Sequence, residues 1–441
     1  MTISVAIVGA GPSGFYAAQT LADRGIDCRI DLIEALPTPY GLIRGGVAPD
    51  HQHTKRIIRN YAETAGQSKV NFYGNVKVGR DVTILELRAL YDAVVLAIGM
   101  PLDRGLNLIG GPKPGVYGAS EFVGWYNGHP DYRDLDPLLD DKRVAIIGNG
   151  NVALDIGRLL VKTRDEMGVT DMPDYAIEAI QNSPITDVFI FGRRGPAEAK
   201  FTNVELREIG QLADCAPIVD PDELPDELPE GMSDRDKRLC ERNIETFRSF
   251  SEMNPAGKGK RLHFCFRSMP MEILGGDRVE GLRLQRTVIE DGEAMGTGHY
   301  YDVLCGTVIA AIGYRMGPLE GVPLDGRRGV VINRDGRVEK GLYVVGWAKR
   351  GPTGVISSNK PDGERVADLI SCEITQPEKP GRAAFEEHLG LRGIRWVTFE
   401  DWLYIDEAEI AAASDGAPRR KFVSVDDMIS FLDREKRPPD A

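Results

Sequence analysis

Short, unbroken apolar runs punctuate this chain. Val5-Ala-Ile-Val8, Ala93-Val-Val-Leu-Ala-Ile98, Val144-Ala-Ile-Ile147 and Val308-Ile-Ala-Ala-Ile312 are each followed at once by glycine. Runs of that length, rich in β-branched residues and stopped by glycine, predict strands buried on both faces. Helical stretches separate them, so the sheets are predicted to be parallel, with ligands beyond the carboxyl ends of the strands.

The pattern occurs twice. Val5-Ala-Ile-Val-Gly-Ala-Gly-Pro-Ser-Gly14 is matched by Val144-Ala-Ile-Ile-Gly-Asn-Gly-Asn-Val-Ala153, and the runs at Ala93 and Val308 follow in the same order. In the first turn, Gly9 serves the tight bend, Gly11 lets a backbone approach a pyrophosphate, and Gly14 allows close helix–strand packing. The helix that opens there turns its positive end to the phosphates. A further strand ends in Glu34, placed to accept hydrogen bonds from a ribose. The second turn carries Ala153 in place of the third glycine, a permitted variant. Its later strand, Asp187 to Phe191, runs into Gly192-Arg193-Arg194, where two guanidiniums suit a 2′-phosphate. The spacing from Gly150 exceeds the usual ~20 residues, so a solvated loop is the competing reading of the arginines.

The fold class predicted is α/β, with two Rossmann-like dinucleotide-binding domains built on mostly parallel sheets. A third glycine-rich segment, Gly341 to Ile356, follows the end of the second unit. One domain is therefore interrupted by the other: residues 1–104 and 321–441 form the first, residues 105–320 the inserted second. Beyond a linker at Thr375–Gly381 lies a C-terminal extension, from about 382, whose chemistry is not legible. The stretch from Asp220 to Asp236 holds eight acids and one arginine and reads as a surface loop. It runs into a helix capped by Ser233 and Asp236, with Leu239, Ile244 and Phe247 as its apolar stripe.

Composition narrows the function. Hydrophobic residues at 42% and charged residues at 27% are those of a globular chain. A net charge of −13 disfavours nucleic acid and anionic membranes as general partners. No run is long enough to span a bilayer, and the first strand begins at Ile3, which predicts a cytoplasmic protein. The six cysteines are dispersed without a CxxC pair or zinc spacing, so no metal site is expected and the thiols read as structural. Two dinucleotide sites, one ending in Glu and one in Arg-Arg, call for two cofactors, FAD and NADP(H). Without a reactive cysteine pair, electrons must leave the flavin by another route.

Longer strings are more discriminating than the turns: LPTPYGLIRGGVAPDH (Leu36 to His51), FYGNVKVGRDV (Phe72 to Val82), EFVGWYNGHP (Glu121 to Pro130), GRRGPAEAKFTNVELRE (Gly192 to Glu208) and GWAKRGPTGVI (Gly346 to Ile356). On these the chain resembles ferredoxin–NADP⁺ reductases of the adrenodoxin-reductase type. The resemblance implies FAD contacts at Ala10, Glu34, Leu42, Val78, Trp347, Gly354, Val355 and Ile356, beside the turn glycines Gly9, Gly11 and Gly14. It implies NADP contacts at Asn149, Gly150, Asn151, Val152, Arg193, Arg194, Glu205 and Gly354, and an active-site pair in His51 and Glu208. A structural, hydrogen-bonded histidine is the alternative for His51. The implied partner is an iron–sulfur ferredoxin docking on a basic patch, with Lys55, Arg56 and Arg59 on one candidate helix and Lys237, Arg238 and Arg242 on another. Two other readings share these motifs: an NADPH-dependent oxidase, diaphorase or monooxygenase delivering electrons to oxygen or a small acceptor, and a redox-responsive protein that binds both cofactors without turnover.

Overall fold

A computed structural model of the chain describes residues 2–229 and 231–435. Glu230 of the acidic loop and residues 436–441 of the extension lie outside the described residues. The first sheet orders its strands Arg337–Glu339, Leu342–Val344, Ala93–Leu96, Ile3–Val8, Cys28–Ile33 and Val70–Tyr73. Every pairing is parallel except that of the edge strand Arg337–Glu339. The second sheet runs Val116–Gly118, Thr307–Ala310, Arg143–Ile147, Asp187–Phe191, Lys260–Cys265 and Cys215–Val219, parallel throughout.

The two repeats occupy equivalent places. Ile3–Val8 pairs with Ala93–Leu96, setting Val5 opposite Ala93, and Arg143–Ile147 pairs with Thr307–Ala310, setting Val144 opposite Thr307. Each glycine-ended run thus lies beside the strand that leads into its glycine turn. Between the sheets, Leu102–Asp103 and Tyr314–Arg315 form a two-stranded antiparallel ribbon, so the outgoing and returning connections travel together. A three-stranded antiparallel sheet, Ser268–Leu274, Gly281–Glu290 and Glu293–Leu304, is absent from the sequence reading. Its outer strand is mostly exposed and lacks a long apolar run to mark it.

The helix Asp234–Ser251 begins as expected: the backbone N–H of Asp236 donates to Ser233 Oγ at 3.2 Å. Its stripe needs correction. Ile244 and Phe247 are buried, but Leu239 is 36% exposed and Cys240 takes the inward position.

The C-terminal extension completes the first unit. Helices Arg382–Leu391, Phe399–Ala411 and Val425–Glu435 send Phe385, Leu389, Trp402, Ile405, Met428 and Leu432 into the core around the first sheet. Gly74 and Val397 exchange backbone hydrogen bonds of 2.8 and 2.9 Å. Arg382 Nε donates to Asp31 Oδ1 at 2.8 Å, and Asp31 is itself buried within the sheet. Among the described residues no helix is long and apolar enough to cross a membrane.

Phe385 is fully buried and meets the rings of Tyr73 and Tyr91 nearly edge-on, at 5.1 and 5.7 Å. Phe385→Ala should therefore cost about 3–5 kcal/mol, measured by chemical denaturation. A loss below about 1 kcal/mol would show that the extension is not part of that core.

Candidate functional site

The glycine turns behave as three distinct steric demands. Gly9 has φ +105°, and a Cβ there would lie 2.5 Å from Ala97 O. At Gly14 an added Cβ would lie 2.0 Å from Gly9 O, so this turn, unlike the second with its Ala153, admits no side chain at the third position. Gly11 differs: its nearest neighbour would be the Cα of Gly41, at 3.7 Å. The same division holds in the second turn. At Gly148 a Cβ would lie 2.2 Å from Ala311 O, whereas at Gly150 nothing comes within 4 Å. Gly150 is thus clear of the protein and Gly11 meets it only in ordinary contact with Gly41, so each middle glycine leaves room for a ligand at a helix start, Pro12–Asp23 in one case and Asn151–Val161 in the other.

Around the first turn, Glu34 accepts the backbone N–H of Ala10 at 2.9 Å and of Leu36 at 3.2 Å. Burial pushes its carboxyl above the ordinary range despite these bonds. Each oxygen keeps lone-pair capacity for another donor. Ala10 is buried with its N–H occupied, so only its position beside the turn is available. Leu42 opens the short helix Leu42–Gly45 and is 48% exposed; Val78 is half-buried against the first-sheet core. The third glycine-rich segment meets the same turn. A Cβ at Gly346 would lie 2.0 Å from Ser13 Oγ, and Ser13 Oγ donates to Asn359 Oδ1 at 3.1 Å. Trp347 follows Gly346 and stacks on Tyr314, 5.7 Å between centroids, so its ring bridges the two units. A buried carboxylate does serve this segment, but it comes from Asp362, which accepts the Gly346 N–H at 3.0 Å and holds Lys349 and Arg350. Gly354 has φ +88°, Val355 is exposed, and Ile356 opens a 3-10 turn leading into the helix Lys360–Glu373.

Around the second turn several polar atoms are buried without a partner: Asn149 Nδ2 and Oδ1, Arg194 Nε and Glu205 Oε2. Buried polar groups are ordinarily satisfied, so this cluster fits an absent polar ligand. Arg193 is exposed, Arg194 half-buried, and neither guanidinium has an ion-pair partner among the described residues. The Asn151 side chain is spent on protein: its Oδ1 accepts the Thr202 N–H at 2.9 Å, which ties the turn to the helix Asn203–Ile209 carrying Glu205 and Glu208. Val152 packs against the second-sheet core.

His51 comes from the first segment, yet its Nε2 lies 2.9 Å from Glu208 Oε2 and its Nδ1 3.8 Å from Asp155 Oδ1. Behind it is a charge network the sequence reading missed. Arg158, 1% exposed, makes a two-pronged pair with Asp50 at 2.8 Å through Nε and Nη2, and its Nη1 lies 2.8 Å from Asp155 Oδ1. Lys162 Nζ reaches Asp50 at 2.6 Å. Three carboxylates, Asp50, Asp155 and Glu208, face two permanent cations, so a proton on His51 would neutralise the set. Burial alone would lower the His51 pKa; the Glu208 hydrogen bond, aided by Asp155 and Asp50, outweighs burial and the neighbouring Arg158 and raises it. Glu208 moves the opposite way, held below its ordinary value because the His51 bond and Arg158 overcome its burial. The signal for the network was available: Asp155 and Arg158 are one turn apart on the helix that the second glycine motif opens.

One docking residue is corrected. Lys55 is 6% exposed, and its Nζ donates to both carboxylate oxygens of Asp171 at 2.8 Å. It cannot meet a partner. Nor do Lys55, Arg56 and Arg59 share one helix: Gln52–Lys55 ends before Ile58–Ala65 begins. Arg56, Arg59, Lys237, Arg238 and Arg242 are exposed. The thiols lean away from disulfide chemistry, since all six are free and burial pushes Cys215, Cys265 and Cys305 up to about 12.

Two open glycine turns, on two mostly parallel sheets joined by a network of charged pairs, define a dinucleotide-dependent oxidoreductase. The sequence profile of the pyridine nucleotide-disulphide oxidoreductases matches residues 3–182. NADPH-ferredoxin reductase FprA of Mycobacterium tuberculosis is 39% identical, the match covering 96% of this chain and 98% of that protein. The human mitochondrial NADPH:adrenodoxin oxidoreductase is 40% identical over 98% of this chain and 92% of that one. The solved structure of M. tuberculosis FprA in complex with NADPH superposes with a TM-score of 0.91 at 37% identity, covering 98% of this chain and all of that one. The chain belongs to this family of NADPH-ferredoxin and NADPH:adrenodoxin reductases.

Two outcomes follow from the geometry. Gly14→Ala should destabilise the fold by roughly 1–3 kcal/mol through overpacking, whereas Gly150→Ala should melt like the wild type and lose nucleotide affinity, read by calorimetry. In Glu208→Gln the bond that raises His51 is gone, so burial and Arg158 dominate, and the His51 ring should titrate below its reference of 6.5 by NMR. The intact pair contributes most stability between the reference values of Glu and His, 4.5 and 6.5. Its contribution falls at lower pH as Glu208 protonates and at higher pH as His51 loses its proton.

Proposed function

We propose that this chain is an FAD-dependent NADPH–ferredoxin reductase, in which NADPH is oxidised at the second glycine turn and an iron–sulfur ferredoxin is reduced, with FAD held at the first. The observation that carries this reading is the asymmetry of two otherwise equivalent turns: a carboxylate, Glu34, closes one, and two unpaired arginines, Arg193 and Arg194, close the other. The corresponding domain division assigns residues 1–104 and 321–441 to FAD and 105–320 to NADP, which agrees with the membership of the two sheets.

A bound flavin supplies what side chains cannot, accepting a hydride and releasing electrons singly. The protein's own part is binding and orientation. Gly9, Ala10, Gly11 and Gly14 shape the pyrophosphate crevice, and Glu34 accepts ribose hydroxyls. Leu42, Val78, Trp347, Gly354, Val355 and Ile356 line the remainder of the FAD site. Asn149, Gly150, Asn151 and Val152 receive the NADP pyrophosphate, and the two arginines take the 2′-phosphate. Glu205 and Gly354 complete the NADP site towards the nicotinamide. His51 and Glu208 orient the nicotinamide end and hold a proton between them. Hydride transfer itself needs no protein acid or base, so the pair's effect on turnover is moderate.

The partner docks on exposed cations, Arg56 and Arg59 at one place and Lys237, Arg238 and Arg242 at another. Complementary charge speeds encounter and makes it sensitive to salt. The proposal includes a cytoplasmic location, which cell fractionation tests against the mitochondrial placing of some relatives.

Replacing Arg193 and Arg194 together with glutamine should weaken NADPH binding by roughly 2–4 kcal/mol and leave NADH unchanged. Equal loss for both nucleotides would refute the 2′-phosphate assignment. The function as a whole is tested by anaerobic stopped-flow mixing with NADPH, then with oxidised ferredoxin. Flavin bleaching that prefers NADPH over NADH, followed by reoxidation in one-electron steps, is the expected result. Bleaching that only oxygen or a small quinone reverses would instead make the protein an oxidase or diaphorase.

A further inference from the structure

Nothing in the C-terminal extension carries a nucleotide motif, yet its most buried polar side chain holds the loop that lies against the first glycine turn. Gly41 lies across from Gly11 with φ +48°, and a Cβ at Gly41 would come within 2.9 Å of Gly11 Cα. The placement of Gly41 therefore sets the width of the crevice at Gly11, the least crowded glycine of that turn. The segment that carries it is short. Leu42–Gly45 is a four-residue helix, held locally by the Gly45 N–H to Gly41 O at 2.9 Å and the Tyr40 N–H to Ala10 O at 2.7 Å. Helices of this length have no stability of their own in water and take their position from tertiary contacts.

Those contacts come from far along the chain. Arg44, in the last turn of the short helix, donates through Nη1 and Nη2 to the two oxygens of Glu409, at 2.7 and 2.5 Å. Glu409 is fully buried; it also accepts the Phe422 N–H at 2.8 Å and lies 3.3 Å from Arg419 Nη1. The Arg44 guanidinium lies over the Trp402 ring, 5.2 Å from its centroid, and the same ring meets Tyr40 edge-on at 5.9 Å. Lys421 Nζ donates to the Arg44 carbonyl at 3.2 Å and to the Asn127 carbonyl at 3.0 Å, and lies 3.4 Å from Asp171. Side chain, ring and backbone of one loop are all gripped by the extension.

We propose that Glu409 is a positioning residue for the flavin: with Trp402 it clamps Arg44, the clamp keeps the Gly41 turn pressed against Gly11, and retention of FAD depends on it. This rests on the assignment of FAD to the first turn. A contact needed only for packing could be apolar, because burying an ion pair carries a desolvation cost that hydrophobic residues avoid. A two-pronged guanidinium–carboxylate bond adds what apolar contact lacks, a fixed direction and distance.

Two variants test this in the full-length chain. Glu409→Gln removes the carboxylate. Arg44→Lys is milder, keeping a positive charge while losing the fork and the stacking. Both proteins are loaded with FAD, and release is followed by the return of free-flavin fluorescence; melting is recorded with and without FAD. The expected result is release accelerated by roughly tenfold, the scale of one charge-assisted bond, with the gap between FAD-loaded and FAD-free melting temperatures reduced. A purely structural role would lower both melting temperatures together and leave the release rate unchanged, and that outcome overturns the clamp. Should Glu409→Gln fail to fold, Arg44→Lys alone decides by the same two readouts. A wild-type protein that retains no FAD overturns the flavin assignment and the clamp together; wild type and variants that release FAD equally slowly overturn the clamp alone.

Discussion

Arg158 carries a charge that it cannot shed, and at 1% exposure it has almost no water to solvate it. Everything that compensates it must come from the protein. Asp155 lies one turn back on its own helix, but Asp50 belongs to the first segment of the chain, and it binds the guanidinium with both oxygens. Pulling the two apart would strand a buried charge, at a cost of about 3–5 kcal/mol. That pairing places His51, the next residue after Asp50, against Glu208. The site depends on this junction because each glycine turn, taken alone, can do no more than hold a nucleotide.

The two turns show one backbone solution put to two uses. In both, the first glycine is forced by close approach to a neighbouring strand, while the middle glycine is under no such steric demand. What differs is the group that closes the far end. Glu34 is satisfied by backbone donors and offers an acceptor; Arg193 and Arg194 have no ion-pair partner among the described residues and offer donors. Two otherwise equivalent turns are thus closed by groups of opposite charge. The family profile includes disulfide reductases, but here the thiols are scattered and three of them are pushed up to about 12. Electron exit through a dithiol has no residues to carry it.

Much of this was legible in the residues. The four glycine-ended runs are central strands, their pairing follows the repeat, and Ser233 caps the helix expected there. These features are local: an apolar run or a capping hydroxyl acts within a few residues of itself. The errors were of the opposite kind. Lys55 looked like a surface cation because its partner, Asp171, lies in another unit. Leu239 fitted a helical stripe, but it is 36% exposed and Cys240 is buried in its stead. The three-stranded antiparallel sheet has a mostly exposed outer strand with no apolar run to announce it. The extension looked featureless because its polar residues answer to loops far away.

By itself the sequence determined the two parallel-sheet units, their glycine turns, and the opposite charge that closes each turn. Those depend on backbone sterics and on residues near one another in the chain. Only the tertiary structure decided which charges meet: Arg158 finds Asp50 across 108 positions, and Arg44 finds Glu409 across 365. In a chain with 54 basic and 67 acidic residues, any such pair looks like ordinary surface charge until folding removes the water around it. Burial, which is a property of the packed whole, turns a weak, screened attraction into a constraint on geometry.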